Sequence, residues 1–212
     1  TIRGYTEALE EGRITDDDLE RVAGVIGRES DRLGRLVEDF MLLSRLESRG
    51  FSLRPEPVDL AGHLKGIAEA FRERAAAAGV ELEVRVAEVP EALVDPDRVA
   101  QVVGNLLENA LRYTPEGGQV RLGLEAGDGY AILTVADNGP GIEEADLPHL
   151  FERLYVTQRY RPVRPEGSGL GLAIVKELVD AMGGSATVDS APGRGTTLEV
   201  RVPLAPPPQP PV

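Results

Sequence analysis

The chain has 212 residues, with 23 Lys and Arg against 36 Asp and Glu, a formal net charge of −13 with its histidines neutral. That balance argues against nonspecific nucleic-acid binding, although a local basic patch can still hold a small phosphate compound. Cysteine is absent and the only histidines are His63 and His149, which removes disulfides, thiolate zinc sites, a cysteine nucleophile and a histidine metal cluster from consideration.

The length suits one domain plus an extra element. No apolar run approaches the ~18 residues of a membrane span and no signal peptide is visible. The expectation is a soluble, cytoplasmic polypeptide in a reducing compartment, with any membrane anchor outside these residues. Residues 1–11 read as a helix with Ile2, Tyr5 and Leu9 on one face. Gly12 breaks it, and Thr15 or Asp16 is a good N-cap for a long helix to about Glu47. Leu19, Val22, Ile26, Leu33, Leu36, Phe40 and Leu43 alternate by three and four, interrupted by Glu29. A stripe of about four heptads predicts an antiparallel helical hairpin or coiled-coil-like bundle.

Gly50, Pro55 and Pro57 mark a linker over 49–57. A helix is expected over 58–79 and an alternating strand over 80–86. Asp95-Pro96 opens the next helix, with proline in its first turn. Two strands, 119–125 and 130–136, flank a glycine turn as a hairpin. Residues 147–167 have little regular pattern and many arginines. A helix follows over 169–182, then strands over 185–190 and 196–202 joined by APGRG. The tail PLAPPPQPPV reads as disordered or polyproline-like.

The helix running through 101–115 carries two faces. Val102, Val103, Leu106, Leu107, Ala110 and Leu111 form a broad apolar side. Asn105, Asn109 and Arg112 share the other, three or four residues apart. A neutral amide oxygen beside a cation suits Mg²⁺ with water and phosphate, and two satisfied core amides fit the same pattern. In DNGPGI, Asp137 ends a strand that should be buried, and its carboxylate can accept from an exocyclic amine such as adenine N6. Gly139 and Gly141 let the backbone turn sharply and approach a flat ring, although a plain turn would look alike. Gly167, Gly169 and Gly171 leave amides uncovered at a helix start, an anion site that would take a triphosphate. Arg153, Arg159, Arg161 and Arg164 supply a basic segment beside it, suited to a lid over phosphates. Thr196, in GRGTT, either places its hydroxyl near the base or belongs only to a hairpin turn.

In order and spacing, NLLENALRYT, DNGPGI, LFERLY, GSGLGLAIVKELV and GRGTTLEVRVPL resemble the N box, first glycine box, phenylalanine box, and second and third glycine boxes of bacterial sensor histidine kinases. The resemblance covers about 57–204, and residues 1–46 resemble the dimerisation hairpin that precedes such a catalytic domain. It implies an α+β Bergerat fold, a mixed sheet with helices on one face, holding ATP and Mg²⁺. The implied organisation is a partial dimerisation hairpin at 1–48, a linker at 49–57, an ATP-binding catalytic domain at 58–204 and a proline-rich tail at 205–212. By motif, Asn109 is the implied Mg²⁺ ligand with Asn105 beside it. Arg112 and Tyr113 are implied phosphate and nucleotide contacts, and Asp137 the adenine-recognising carboxylate. Gly139, Gly141 and Ile142 line the base; Arg153 and Tyr155 belong to the lid; Gly167, Ser168, Gly169, Leu170, Gly171 and Leu172 hold phosphates; Thr196 completes the implied nucleotide-binding set.

Gyrase-like and chaperone ATPases resemble one another in a glutamate four residues before the metal asparagine, acting as general base. Here that position is Asn105, and an amide is no base near neutral pH. Phosphoryl transfer to another site is therefore favoured over a self-contained ATPase, and the presence of all the nucleotide motifs favours it over a nucleotide-gated dimerisation module. The family's acceptor histidine would fall roughly two helical turns before Thr1. Neither His63 nor His149 matches it, so no catalytic residue is expected within the chain and no autophosphorylation. In the lid, Leu154 and Val156 stand where phenylalanine and arginine are common. The implied partners are a response-regulator receiver domain and a second copy of the chain.

Overall fold

The computed structural model describes residues 6–7, 16–47, 51–155 and 168–206. Thr6 and Glu7 are helical; the rest of the expected first helix and its turn lie outside the described residues. Helix α1 (Asp16–Glu47) runs without interruption for 32 residues. The α/β unit follows as β1 (Glu56–Val58), α2 (Leu60–Ala77), β2 (Glu81–Val86), β3 (Ala92–Val94), α3 (Pro96–Tyr113), β4 (Gln119–Gly127), β5 (Tyr130–Asp137), a 3₁₀ turn (Glu144–His149), α4 (Gly171–Ala181), β6 (Ser185–Ser190) and β7 (Thr196–Pro203).

Five strands form the main sheet in the order β2-β4-β5-β7-β6. Strand β2 runs parallel to β4, and the other three pairings are antiparallel. The strand alternation explains the layering. Val120, Leu122 and Leu124 of β4, Leu133 and Val135 of β5, and Leu198, Val200 and Val202 of β7 are buried in one cluster with the apolar sides of α2, α3 and α4. The opposite face carries Glu83, Arg121, Glu199 and Arg201, which pair along and across strands, as in Arg121 Nε to Glu83 Oε2 at 2.6 Å. The result is the expected mixed sheet with helices on one face.

Caps set the helix starts. Asp59 accepts from the Ala61 and Gly62 amides, so α2 begins at Leu60 rather than 58. Asp95 caps α3 with Pro96 in the first turn, as the sequence predicts. Gly169 sits at φ +70°, a left-handed conformation that keeps α4 from starting before Gly171.

Three expectations are corrected. The linker over 49–57 is not a free connection where it is described, because Phe51 and Leu53 pack on the core and Glu56–Val58 pairs antiparallel with β3. The Arg54 amide donates to buried Asp95 Oδ2 at 3.0 Å. Proline is tolerated at the edge of such a two-stranded sheet, and a three-residue strand leaves almost no period to read. The tail does not begin at Pro203: that residue ends β7, Leu204 bridges to Ala92, and the Ala205 amide donates to the Glu91 carbonyl at 2.7 Å. Residues 207–212 lie outside the described set. The segment from 147 onward, read as irregular, starts inside a 3₁₀ turn. Among the described residues no helix is long and apolar enough to cross a membrane.

Candidate functional site

The site is built between the end of the sheet and one side of α3. Asp137 continues the inward-facing series Leu133, Val135 of β5, so the strand period places its carboxylate where the apolar column stops. It is half-buried. Oδ1 accepts from the Gly139 amide at 2.8 Å, and the Thr196 backbone N–H also bonds the carboxylate. Desolvation nevertheless wins: burial raises its pKa above the usual carboxylate value, against the lowering effect of those two donors.

The loop after Asp137 packs on the C-terminal end of α3. A Cβ at Gly139 would lie 2.9 Å from the Tyr113 carbonyl oxygen and 2.8 Å from Asp137 Oδ1, so only glycine allows this approach. Gly141, at φ +72°, faces the Ala191 carbonyl, where a Cβ would overlap it. Its contact here is therefore the packing of two loops, where the sequence reading gave it a ring to line. The loops are joined by Gly193 N–H to the Pro140 carbonyl at 2.7 Å and Ile142 N–H to Ser190 Oγ at 3.0 Å. Thr196 sits opposite Asp137 in the β5–β7 register, and its hydroxyl lies 3.0 Å from Ser190 Oγ.

Asn105, Asn109 and Arg112 are all half-buried on α3, while Val102, Val103, Leu106 and Leu107 of the same helix are fully buried. Midway along the helix, Asn105 stands against the second glycine-rich loop: a Cβ at Gly171 would lie 3.3 Å from Asn105 Oδ1. Gly171 opens α4, whose first-turn amides have no intrahelical acceptor and favour an anion. Leu170 is buried, and its amide donates to Ser168 Oγ at 3.2 Å; Leu172 packs against the core. The eight residue steps from Asn105 to Tyr113 span about 12 Å of helix, so α3 links the carboxylate end of the site to the amide end. A hard cation at Asn109 would draw its remaining oxygens from phosphate and water, which fits the single neutral amide the helix offers there.

Glu108 accepts from Arg74 Nη1 at 3.0 Å. Arg153, expected over phosphates, instead lies 3.6 Å from Glu177 Oε1 of α4. With Phe40, Leu43, Ser44, Leu154 and Leu170 it lines a cavity of about 170 Å³ between α1 and this end of the site. Leu154 holds φ +63°. The Tyr155 hydroxyl donates to buried Asp146 Oδ1 at 2.8 Å. Gly167, Arg159, Arg161, Arg164 and Val156 lie outside the described residues.

Three residues with a part in this arrangement were missed in the sequence. Asp146 anchors Tyr155, and Ser190 joins the two loops. Asp39 of α1 accepts from the Ser168 hydroxyl, and burial is the main cause of its raised pKa, with Glu108 and Glu38 adding to it. A lone serine or aspartate on a polar stretch gives no signal until a distant element is brought beside it.

A family model described as "Histidine kinase-, DNA gyrase B-, and HSP90-like ATPase" matches residues 94–206. A second, described as "His Kinase A (phospho-acceptor) domain", matches residues 1–49. The chain is 34% identical over 210 residues to the sensor histidine kinase WalK of Bacillus subtilis, covering 96% of this chain and 34% of that protein. It is 32% identical over 203 residues to the sensor protein SrrB of Staphylococcus aureus, covering 95% of this chain and 35% of that protein. It thus spans about a third of the length of these curated relatives. Among solved structures, full-length ShkA in complex with AMPPNP is 34% identical and superposes with a TM-score of 0.76, over 91% of this chain and 40% of that one.

Proposed function

Because the chain belongs to the histidine kinase, DNA gyrase B and HSP90-like ATPase family, within its sensor histidine kinase branch, we propose that residues 58–204 bind ATP with Mg²⁺ and present its γ-phosphate to a histidine. The observation that carries this reading is the span of α3: its Tyr113 end meets Gly139 beside Asp137, and its Asn105 meets Gly171. An acceptor carboxylate for an exocyclic amine and a helix N-terminus for phosphates would thus sit along the C-terminal half of one rigid element.

In this reading Asp137 accepts from adenine N6, with Gly139, Gly141, Ile142 and Thr196 shaping the base end. Asn105, Arg112 and Tyr113 contact the nucleotide, and Gly167, Ser168, Gly169, Leu170, Gly171 and Leu172 surround the phosphates. Asn109 holds Mg²⁺, which when bound neutralises charge on the phosphates. The chain's own part is positioning and exclusion of water. The lid, with Tyr155 held by Asp146, closes over the phosphates, and Arg153 would have to leave Glu177 to reach them.

The acceptor is proposed to lie outside residues 1–212. The segment matched by the phospho-acceptor family model contains no histidine. His63 Nε2 is bound to the Pro96 carbonyl at 3.0 Å, and His149 Nδ1 to Glu152 Oε1 at 2.7 Å. Incubation of this chain with radiolabelled ATP should leave no acid-labile phosphate on it; label at either histidine would overturn the assignment. A response-regulator receiver domain would take the phosphate onward. A second copy would cover the exposed apolar stripe of α1, and sedimentation showing a clean monomer at high concentration would count against that pairing.

Calorimetric titration of ATP and Mg²⁺ into the wild-type chain and Asp137→Asn tests the site itself. Wild-type binding that weakens by about tenfold or more in the variant is expected, the loss of one charged hydrogen bond. Equal binding by both would remove Asp137 from base recognition.

A further inference from the structure

Ser190 occupies the last position of β6, opposite Thr196, which in turn stands opposite Asp137. Directly paired residues of neighbouring strands point to the same side of a sheet. Ser190, Thr196 and Asp137 therefore form one row across three strands, at the end of the sheet that α3 covers.

The hydroxyl of Ser190 has three partners. It lies 2.7 Å from the Gly195 carbonyl oxygen, 3.0 Å from the Ile142 amide nitrogen and 3.0 Å from Thr196 Oγ1. A hydroxyl has one proton and two lone pairs. A carbonyl can only accept, so the Ser190 proton goes to Gly195. An amide can only donate, so one lone pair goes to Ile142. The remaining contact is then a lone pair of Ser190 facing the Thr196 hydroxyl, and Thr196 must be the donor. With its proton committed to Ser190, Thr196 has only lone pairs left to offer. Its neighbour Asp137 is likewise an acceptor when ionised.

Resting on the ATP reading above, we infer that Ser190 is a positioning residue that sets base specificity: it holds the Thr196 hydroxyl as an acceptor beside Asp137, so that the row selects a purine bearing a 6-amino group over one bearing a 6-keto group. A keto oxygen at that edge would face acceptors alone and find no proton. Without the Ser190 hydroxyl, Thr196 is released to rotate and donate, and the keto base gains a partner. The same change leaves the Ile142 amide and Gly195 carbonyl without their side-chain partner, which loosens the base end of the site while leaving the glycine-rich amides at the start of α4 untouched.

The test compares Mg²⁺ complexes of ATP and ITP, with Mg²⁺–tripolyphosphate as a probe that has no base. The wild-type chain should prefer ATP. Ser190→Ala should cut the ATP:ITP affinity ratio by about tenfold, the scale of one hydrogen bond, with tripolyphosphate affinity unchanged. Ser190→Thr, which keeps the hydroxyl, should restore the ratio. Thr196→Val should lose the ratio alone, and adding Ser190→Ala to it should cause no further loss; this second route holds if Ser190→Ala folds poorly. A wild-type ratio in Ser190→Ala would overturn the inference while leaving the ATP site intact. Equal losses for ATP, ITP and tripolyphosphate would reduce Ser190 to a structural role and also overturn it. Failure of the wild-type chain to bind either nucleotide would instead break the ATP reading, and the specificity argument with it.

Discussion

Helices α1 and α3 have similar apolar spacing and opposite fates. On α3, Val99, Val102, Val103, Leu106, Leu107 and Ala110 are buried against the sheet and its neighbouring helices. On α1, Val22 and Leu43 are buried, yet Leu19 and Leu33 are each 47% exposed and Phe40 is 66% exposed. A three-four stripe states that a helix has an apolar side; it does not state what covers that side. The polar sides differ too. Asn105, Asn109 and Arg112 of α3 are half-buried at the candidate site, whereas α1 borders that site through Asp39 at Ser168 and through Phe40, Leu43 and Ser44, which face Arg153, Leu154 and Leu170.

The contrast between the helices is sharpest at two leucine positions. Leu106→Ala on α3 should destabilise the chain by about 2–5 kcal/mol, the cost of a cavity in a filled core. Equal and small effects at Leu106 and at exposed Leu33 in urea unfolding would mean that the α3 stripe is not the core. A smaller effect is expected at the cap. Asp95→Ala removes the side-chain acceptor for the Arg98 and Arg54 amides and should cost about 1–2 kcal/mol. Removal of residues 51–54 should then reduce the penalty of that substitution, because one of the two donors is gone.

A pH series separates the two aspartates that touch the site. Asp137 and Asp39 both have raised pKa values, chiefly from burial. Each binds its proton more tightly folded than unfolded. Their contribution to stability is therefore present below the ordinary carboxylate value and is lost as pH rises through the raised native one. Asp137→Asn should match the wild type in acid and become relatively more stable as pH rises to neutrality, even as nucleotide binding weakens. Unfolding midpoints that keep a constant offset at every pH would contradict this. The smallest effect belongs to the exposed side of α1. Leu33→Ala and Arg21→Ala, the latter breaking an exposed pair with Asp18, should each change stability by less than about 0.5 kcal/mol. A larger loss at Leu33 that depends on protein concentration would show that a second copy covers the stripe.

Much of the fold was legible because the signals were long or chemically singular. The asparagine helix combined a strong 3.6-residue period with an Asp-Pro start, and the β4–β5 hairpin combined alternation with a glycine turn. The pieces that escaped were short or polar. Strands β1 and β3 are three residues each, too brief for a period of two, and β1 contains Pro57. Pro203 and Leu204 read as a tail because proline dominates the residues after Ala205, yet the β7 ladder and the bridge to Ala92 hold them. At the site, Asp137, Gly139 and Gly171 could be marked in advance, whereas Asp39, Asp146 and Ser190 could not.

The sequence by itself determined which residues alternate, where helices can begin, and that an asparagine-bearing helix is followed by glycine-rich loops in a fixed order. These are local properties, carried by backbone sterics, capping and spacing. Only the tertiary structure decided that Gly171 lies against Asn105, that the Asp137 loop is joined to the β6–β7 turn through Ser190, and that Leu19, Leu33 and Phe40 of the α1 stripe are exposed while Val22 and Leu43 are buried. Those outcomes depend on which distant surfaces meet. A proton on Ser190 has no assigned direction until the Gly195 carbonyl and the Ile142 amide are both within reach.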